Sequence, residues 1–256
     1  MRVTLVGGPT AILEYAGARI VIDPTFDPPG TYPNEVGEMV KTRGPEVPLD
    51  ELGHVDIVLA SHEHDDNLDR AGRGVLRSAD RVFTTPVVAE LVGRDVDTMQ
   101  PGDSSTVRLS GGSSLTVHAV PAKHGPDGIW EMSTVIGFVL TSEGGPTVYI
   151  SGDNSELDVV HTVPSYAGPI DVAILFAGRA GFDSLDGQNL TLSAADAVEA
   201  ARTLKVKKAI LVHHDSWEHF REDLATGVAA FDAAGMSDVL VPLQPGESAV
   251  VCGDTA

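Results

Sequence analysis

Cysteine is almost absent from this chain: Cys252 stands alone among 256 residues. No internal disulfide can form, so stability must come from a packed core, and the composition fits a reducing compartment. Positive charge is also scarce. Lys and Arg number 17 against 37 Asp and Glu, for a formal net charge of −20. A field of that sign repels phosphate backbones and anionic membrane surfaces. The densest basic run, Lys205-Val206-Lys207-Lys208, reads as the solvated end of a helix ahead of a strand. Aromatic residues make up 5% of the chain, so Ala, Val, Leu and Gly carry the apolar load, as in layered α/β proteins. No segment approaches the roughly 20 apolar residues of a membrane span. The opening Met1-Arg2-Val3-Thr4-Leu5-Val6-Gly7-Gly8 is a short strand ending in glycines, without the apolar stretch and cleavage site of a signal peptide. These absences predict a soluble cytoplasmic protein with neither a nucleic acid nor a membrane as partner.

What is present suits one domain over residues 1–256, with two halves of about 1–130 and 131–256. Hydrophobic residues reach 42%, ample for a core. Val3–Val6, Thr10–Tyr15 and Arg19–Ile22 read as strands, the last two joined at Gly17. A Pro- and Gly-rich excursion follows from Asp27 to Asp50. It can serve as a flap over a crevice or as the contact of a homo-oligomer. Val55–Ser61 reads as a buried strand, and Arg81–Thr84 as another before a helix at Pro86–Leu91. Ser105–Leu109, Ser114–Val120, Thr134–Leu140, Thr147–Ile150 and Val172–Phe176 continue the strand pattern. Ser193 caps a helix to Leu204, and Ala209–Val212 is a strand. A helix from Trp217 to Ala234 and strands at Val239–Leu243 and Ala249–Val251 close the chain. In each half antiparallel strands come first and strand–helix alternation follows. The fold class predicted is α/β (α+β), two β-sheets packed face to face with helices outside.

Histidines and carboxylates fall directly after several of these strands: His62-x-His64-x-Asp66, His124, Asp153 and His213. Loops leaving strand ends are where a sheet scaffold aims ligands into one crevice. His62 and His64, two apart, can hold one metal, and His124 completes a three-imidazole site with an open position, the pattern of catalytic zinc. Asp66 can reach a second ion or orient a bound water, Asp153 can bridge two ions or cap one, and His213 serves the second position. Coordination lowers the pKa of water from 15.7 to near 7, which makes a metal-bound hydroxide the nucleophile and removes the need for Ser or Cys. Zinc, one ion or two, is the expected cofactor, with manganese as the other divalent candidate. Lys123, next to His124, can supply charge for an anionic substrate. His214 can contact substrate. Trp217 reads as a packing residue, and His219 beside it receives no role.

These residues carry a family resemblance. The stretches Gly7-Gly8-Pro9-Thr10, Asp23-Pro24-Thr25, Ser61-His62-Glu63-His64-Asp65-Asp66-Asn67-Leu68-Asp69, Pro121-Ala122-Lys123-His124-Gly125-Pro126, Gly152-Asp153 and His213-His214-Asp215-Ser216-Trp217-Glu218-His219-Phe220 resemble the metallo-β-lactamase superfamily. Within it they are most similar to the ascorbate-6-phosphate lactonase-type hydrolases. The resemblance implies a four-layer αβ/βα sandwich with a mono- or dinuclear site. In it His62, His64 and His124 hold the first ion, Asp66 and His213 the second, Asp153 bridges, and Asp23 orients a ligand from behind. The chain departs from the pattern at Asn67, where the superfamily places a histidine. An amide oxygen is a poorer zinc ligand than imidazole. The resemblance implies hydrolysis of an ester-like bond in a small molecule, a lactone or other small ester first. A phosphodiesterase of the same fold and a metal-binding protein without turnover are the alternatives.

Overall fold

The computed structural model describes residues 1–33, 38–126 and 134–252. In chain order the strands are β1 (Arg2–Gly7), β2 (Thr10–Tyr15), β3 (Ala18–Ile22), β4 (Gly30–Tyr32), β5 (Met39–Lys41), β6 (Ile57–Ala60), β7 (Arg81–Thr84), β8 (Asp97–Thr98), β9 (Ser104–Arg108), β10 (Ser114–Pro121), β11 (Ile136–Ser142), β12 (Val148–Ile150), β13 (Val172–Phe176), β14 (Lys208–Val212) and β15 (Ser248–Val250). The helices are α1 (Arg70–Ser78), α2 (Pro86–Val92), α3 (Leu157–Thr162), α4 (Pro164–Ala167), α5 (Ala194–Leu204) and α6 (Leu224–Ala233). One sheet has the order β15-β1-β2-β3-β6-β7-β8, and the other β14-β13-β12-β11-β10-β9.

Alternation along the strands explains the layering. In β6, Ile57 and Leu59 point into a core shared by both sheets, where they join Ile20, Ile22, Phe138, Ile150 and Phe176. Val58 and Ala60, of opposite parity, face out and pack with Val75 and Leu76 of α1 and Val88 and Val92 of α2. The outer face of the second sheet is covered in the same way. Tyr149, Leu175 and Leu211 meet Val160 of α3, Val198 and Ala201 of α5, and Phe231 of α6. The result is a four-layer α/β/β/α sandwich of two mixed sheets. No helix among the described residues is long and apolar enough to cross a membrane.

Strand direction decides where the ligand-bearing loops emerge. In the first sheet β3 and β6 run parallel. In the second, β10 and β12 are each antiparallel to β11 and so run the same way, while β12, β13 and β14 are parallel. The loops after β3 and β6, and those after β10, β12 and β14, therefore leave each sheet at a single edge.

Several elements differ from the sequence reading. The helix expected from Trp217 begins at Leu224, where Asp223 caps it by accepting from Thr226 N; residues 217–223 form a loop. Val239–Leu243 is not a strand but an isolated bridge between Leu240 and Ala209, because Pro242 has no N–H to extend a ladder. Helix α1 and the pair α3 and α4 stand where the sequence suggested none. The Asp27–Asp50 excursion holds the hairpin β4–β5, although residues 34–37 lie outside the described residues, as does the expected seam between the halves near residue 130. Tyr32 and Met39 of this hairpin pack on Trp217. Lys41 Nζ lies 3.0 Å from Asp69 Oδ2, with both side chains buried.

Candidate metal centre

Backbone geometry at the strand ends aims the candidate ligands. Gly178 follows β13 so closely that a Cβ there would sit 1.8 Å from the His213 carbonyl oxygen, and only glycine admits that approach. His213 itself has φ 61° and Asp23 φ 37°, values that L side chains rarely adopt and that concentrate at functional sites.

Two groups of donor atoms result. His62, His64 and His124 place ligand atoms within 4.8 Å of one another, and Asp66, Asp153 and His213 form a second such group. His62 Nε2 lies 3.0 Å from His64 Nδ1. Asp153 stands between the groups: its Oδ2 is 3.8 Å from His62 Nε2 and 3.6 Å from His124 Nδ1, and its Oδ1 is 3.4 Å from His213 Nε2. Asp66 Oδ2 is 3.6 Å from His213 Nε2. All six expected ligands thus converge, and five of them are buried, with His64 half-buried.

The supporting residues hold these groups in place. Asp23 accepts from Ser61 N at 2.6 Å and Ser61 Oγ at 2.7 Å. Ser61 Oγ in turn lies 2.9 Å from His62 Nδ1. Asn67 Nδ2 donates to Asp23 Oδ2 and Asp153 Oδ1, both at 3.1 Å. His124 Nδ1 bonds the Leu190 carbonyl at 2.9 Å, an outer contact that fixes ring orientation and tautomer. His214 is buried, with Nδ1 3.4 Å from Asp215 Oδ2. Lys123 donates its backbone N–H to Asn154 Oδ1, and its ammonium stands 4.0 Å from Glu156 Oε1. Asp65 pairs with Arg73.

One participant went unread in the sequence. His219 Nε2 lies 2.9 Å from Asp66 Oδ2, and its ring stacks on Phe182 with centroids 4.9 Å apart. Its partner is 153 residues away in sequence, and it sits in a segment read as helix, so no local spacing exposes it.

Electrostatics tests whether a cation fits. Burial, reinforced by the charges of His64 and His124, drives His62 well below the usual imidazole range. Burial and then His64 bring His124 to about 3, and burial lowers His213. Neutral imidazoles are the form a metal requires. Burial raises Asp66, but the His213 ring 3.6 Å away and the hydrogen bond from His219 outweigh it and hold the carboxylate well below its ordinary value. Burial, then the charges of Asp66 and Asp23, push Asp153 well above. Burial exceeds the hydrogen bonds from Ser61 and Asn67 and takes Asp23 to about 6. Buried carboxylates so crowded favour a bound cation, whose charge inverts this local ordering. Asp66 Oδ1, Asp153 Oδ2, Asn67 Oδ1 and both nitrogens of His213 are buried with no hydrogen-bond partner. Each such atom costs about 1–3 kcal/mol. The donor set therefore fits one or two divalent ions.

Comparison with known proteins agrees. A family model described as a beta-lactamase superfamily domain matches residues 18–214. A metal-dependent hydrolase from Pelotomaculum thermopropionicum is 29% identical, over 97% of this chain and 99% of its own. Among solved structures, an isothiocyanate hydrolase from Delia radicum gut bacteria superposes with a TM-score of 0.82 at 19% identity, covering 98% of this chain and 99% of that one. A protein from Veillonella parvula described as a possible metal-dependent hydrolase also gives 0.82 at 19% identity, over 97% and 98% of the two chains.

Proposed function

The chain belongs to the β-lactamase superfamily and is a metal-dependent hydrolase of that fold; from this premise we propose that it cleaves an ester-like bond in a small molecule, preferentially a lactone or another small ester. The observation that carries the reading is the pair of buried donor groups that share Asp153 between them. His62, His64 and His124 would hold one ion, and Asp66, Asp153 and His213 a second, with zinc the preferred metal. A divalent ion there supplies hydroxide at neutral pH and polarises the carbonyl under attack.

The chain's own residues do the rest. Asp66 stays ionised because the His213 ring lies beside it and His219 hydrogen-bonds it, and it orients the attacking water by accepting its hydrogen bond. Asn67 and Asp23 fix Asp153 and Ser61, and through Ser61 the His62 ring. Attack by the water oxygen forms the new C–O bond as the acyl C–O bond breaks, and the proton released by the water goes to the freed alkoxide, giving an acid and an alcohol, or a single hydroxy acid from a lactone. The lactone preference rests on the resemblance of the motifs. A nucleic acid substrate is disfavoured by the net charge of −20.

The test is a substrate panel of lactones, aryl esters, phosphodiesters and isothiocyanates, assayed before and after chelation and zinc restoration. Lactone or ester turnover that disappears with chelation and returns with metal is the expected result. Turnover of phosphodiesters alone would overturn the ester reading, and a metal-loaded protein inert on the whole panel would assign a binding role instead.

A further inference from the structure

The chain has seven phenylalanines. Phe26, Phe83, Phe138, Phe176 and Phe231 are buried. Phe182 and Phe220 are not, and each keeps part of its surface in water. A large apolar ring left partly wet is the informative exception in a packed fold, and both exceptions stand at the metal centre. Phe182 follows β13 and Phe220 follows β14, strands that run parallel to β12. Their loops therefore leave the sheet at the edge that carries Asp153 and His213.

Both rings are built onto the second donor group. Phe220 lies against the His213 ring with centroids 3.8 Å apart and meets His219 edge-on at 4.7 Å. Phe182 stacks on His219 at 4.9 Å, 12° from parallel, and His219 is hydrogen-bonded to Asp66. The loop that bears Phe182 reaches both groups. Gly181 N donates to the His219 carbonyl at 3.1 Å, and farther along the Leu190 carbonyl bonds His124 Nδ1. Tyr32, Met39 and Trp217 pack against the two phenylalanines and fix their place.

Positive charge on the same loops is already matched. Arg73 stands 3.4 Å from Asp65, Lys123 4.0 Å from Glu156, Arg179 3.6 Å from Glu222 and Arg221 3.0 Å from Asp183. Arg70 opens on a cavity lined by residues 27–32, Asp27 among them. The expected role of Lys123 toward an anionic substrate thus meets a competing carboxylate. An anion would have to displace such a partner in a chain of net charge −20. An aryl or alkyl group would instead cover two half-wet rings and release the water on them.

We propose that Phe182 and Phe220 form an apolar wall beside the metal centre, and that the substrate is a neutral ester or lactone whose aryl or alkyl group lies on it. The inference rests on the hydrolase reading above and names the substrate class for it, apolar and uncharged rather than phosphorylated or carboxylated.

The experiment compares γ-butyrolactones that carry phenyl, methyl or carboxymethyl at the γ-carbon, with the matching phenyl and methyl lactams as binding probes. The zinc-restored proteins are wild type, Phe182→Ala, Phe220→Ala and Phe182→Tyr, and circular dichroism shows which variants are folded. Turnover of the lactones gives kcat/KM, and calorimetry gives the lactam dissociation constants. Wild type should favour phenyl over methyl by about tenfold or more in both readouts, and carboxymethyl should be the poorest lactone. Each alanine change should cut the phenyl-to-methyl ratio to within about threefold, and Phe182→Tyr should keep it. A ring that only supported the fold would lower phenyl and methyl alike, and an unchanged ratio would overturn the wall. So would a wild type without phenyl preference, or one that prefers carboxymethyl, and neither result needs a variant to fold. Absence of any lactone turnover would count against the lactone reading above, while the lactam affinities would still decide the wall.

Discussion

The two donor groups of the centre are built in different ways. The imidazole group draws His62 and His64 from one loop and His124 from another, one loop per sheet, and burial keeps His62 and His124 neutral. The carboxylate group draws Asp66, Asp153 and His213 from three loops, with His219 hydrogen-bonded to Asp66, and it buries carboxylates beside Asp23. The first group needs only sheets that close on each other. The second also needs the loop 213–220, which leans on the hairpin β4–β5: Thr42 N donates to Ser216 O at 2.7 Å, and Glu218 N to Val40 O at 3.0 Å. A metal position made of local spacing and imidazole rings is robust. One gathered from distant carboxylates depends on whatever holds its loops.

Breaking the hairpin's anchor tests that dependence most severely. Lys41→Met leaves the Asp69 carboxylate, fully buried, without its charged partner, at a cost of about 3–5 kcal/mol. Asp69 also caps α1 through Gly72 N and accepts from Asp27 N, so the loss spreads to three segments. Denaturant unfolding should show the full drop, and zinc titration should show the weaker equivalent failing before the stronger. Equal loss of both equivalents would erase the distinction between the groups. Removing the robust group instead, by His62→Ala with His64→Ala, should abolish tight metal binding and lower kcat/KM by about 10³-fold or more. That corresponds to several kcal/mol of lost charge stabilisation at 1.36 kcal/mol per decade. Elemental analysis and turnover on the responsive substrate check it together.

The same contrast separates what the sequence disclosed from what it concealed. The imidazole group was legible because His-x-His after the apolar run Ile57–Ala60 is a local pattern, and the β-rich runs of β1, β2 and β3 showed the sheet that carries it. Asp153 and His213 were legible as residues at strand ends. Helix α1 was not, because Gly72 and Gly74 weaken helix propensity. Yet Gly72 is required where a Cβ would lie 1.8 Å from the Pro24 carbonyl oxygen, and Asp69 was a cap in plain sight. The run Val239–Leu243 looked like a strand by composition alone, and Pro242 was the overlooked signal. His219 had no local signature, since stacking on Phe182 and pairing with Asp66 exist only in three dimensions.

Acidity sharpens the comparison further. Asp23, at about 6 in the fold against 3.8 as its ordinary value, binds a proton in the folded state that the unfolded chain has already lost between those values. Stability of the metal-free protein from this group is therefore complete below about 3.8 and falls as pH rises to about 6. The change is at most about 3 kcal/mol, at 1.36 kcal/mol per unit. The imidazole side has the opposite sign: His124, at about 3 against 6.5, makes stability rise across that interval. Asp23→Asn should remove the falling component and leave a steeper net rise with pH in denaturant midpoints. An unchanged slope would show that Asp23 does not titrate in the fold.

The smallest effect belongs to Asn67, and its value lies in being confined. Asn67→Ala removes both hydrogen bonds that hold Asp23 and Asp153 against each other, and it leaves every imidazole contact intact. An outer partner of a ligating carboxylate is worth about 10–100-fold in metal affinity, and the loss should fall on the equivalent held by Asp153, Asp66 and His213. The first equivalent also lies near Asp153, through His62 at 3.8 Å and His124 at 3.6 Å, but its three nitrogens need no carboxylate to stay in place. It should move by less than about threefold. If both equivalents weakened together in zinc titration, Asp153 would be a ligand common to the two ions, and the centre would behave as one coupled unit rather than as two groups of unequal strength.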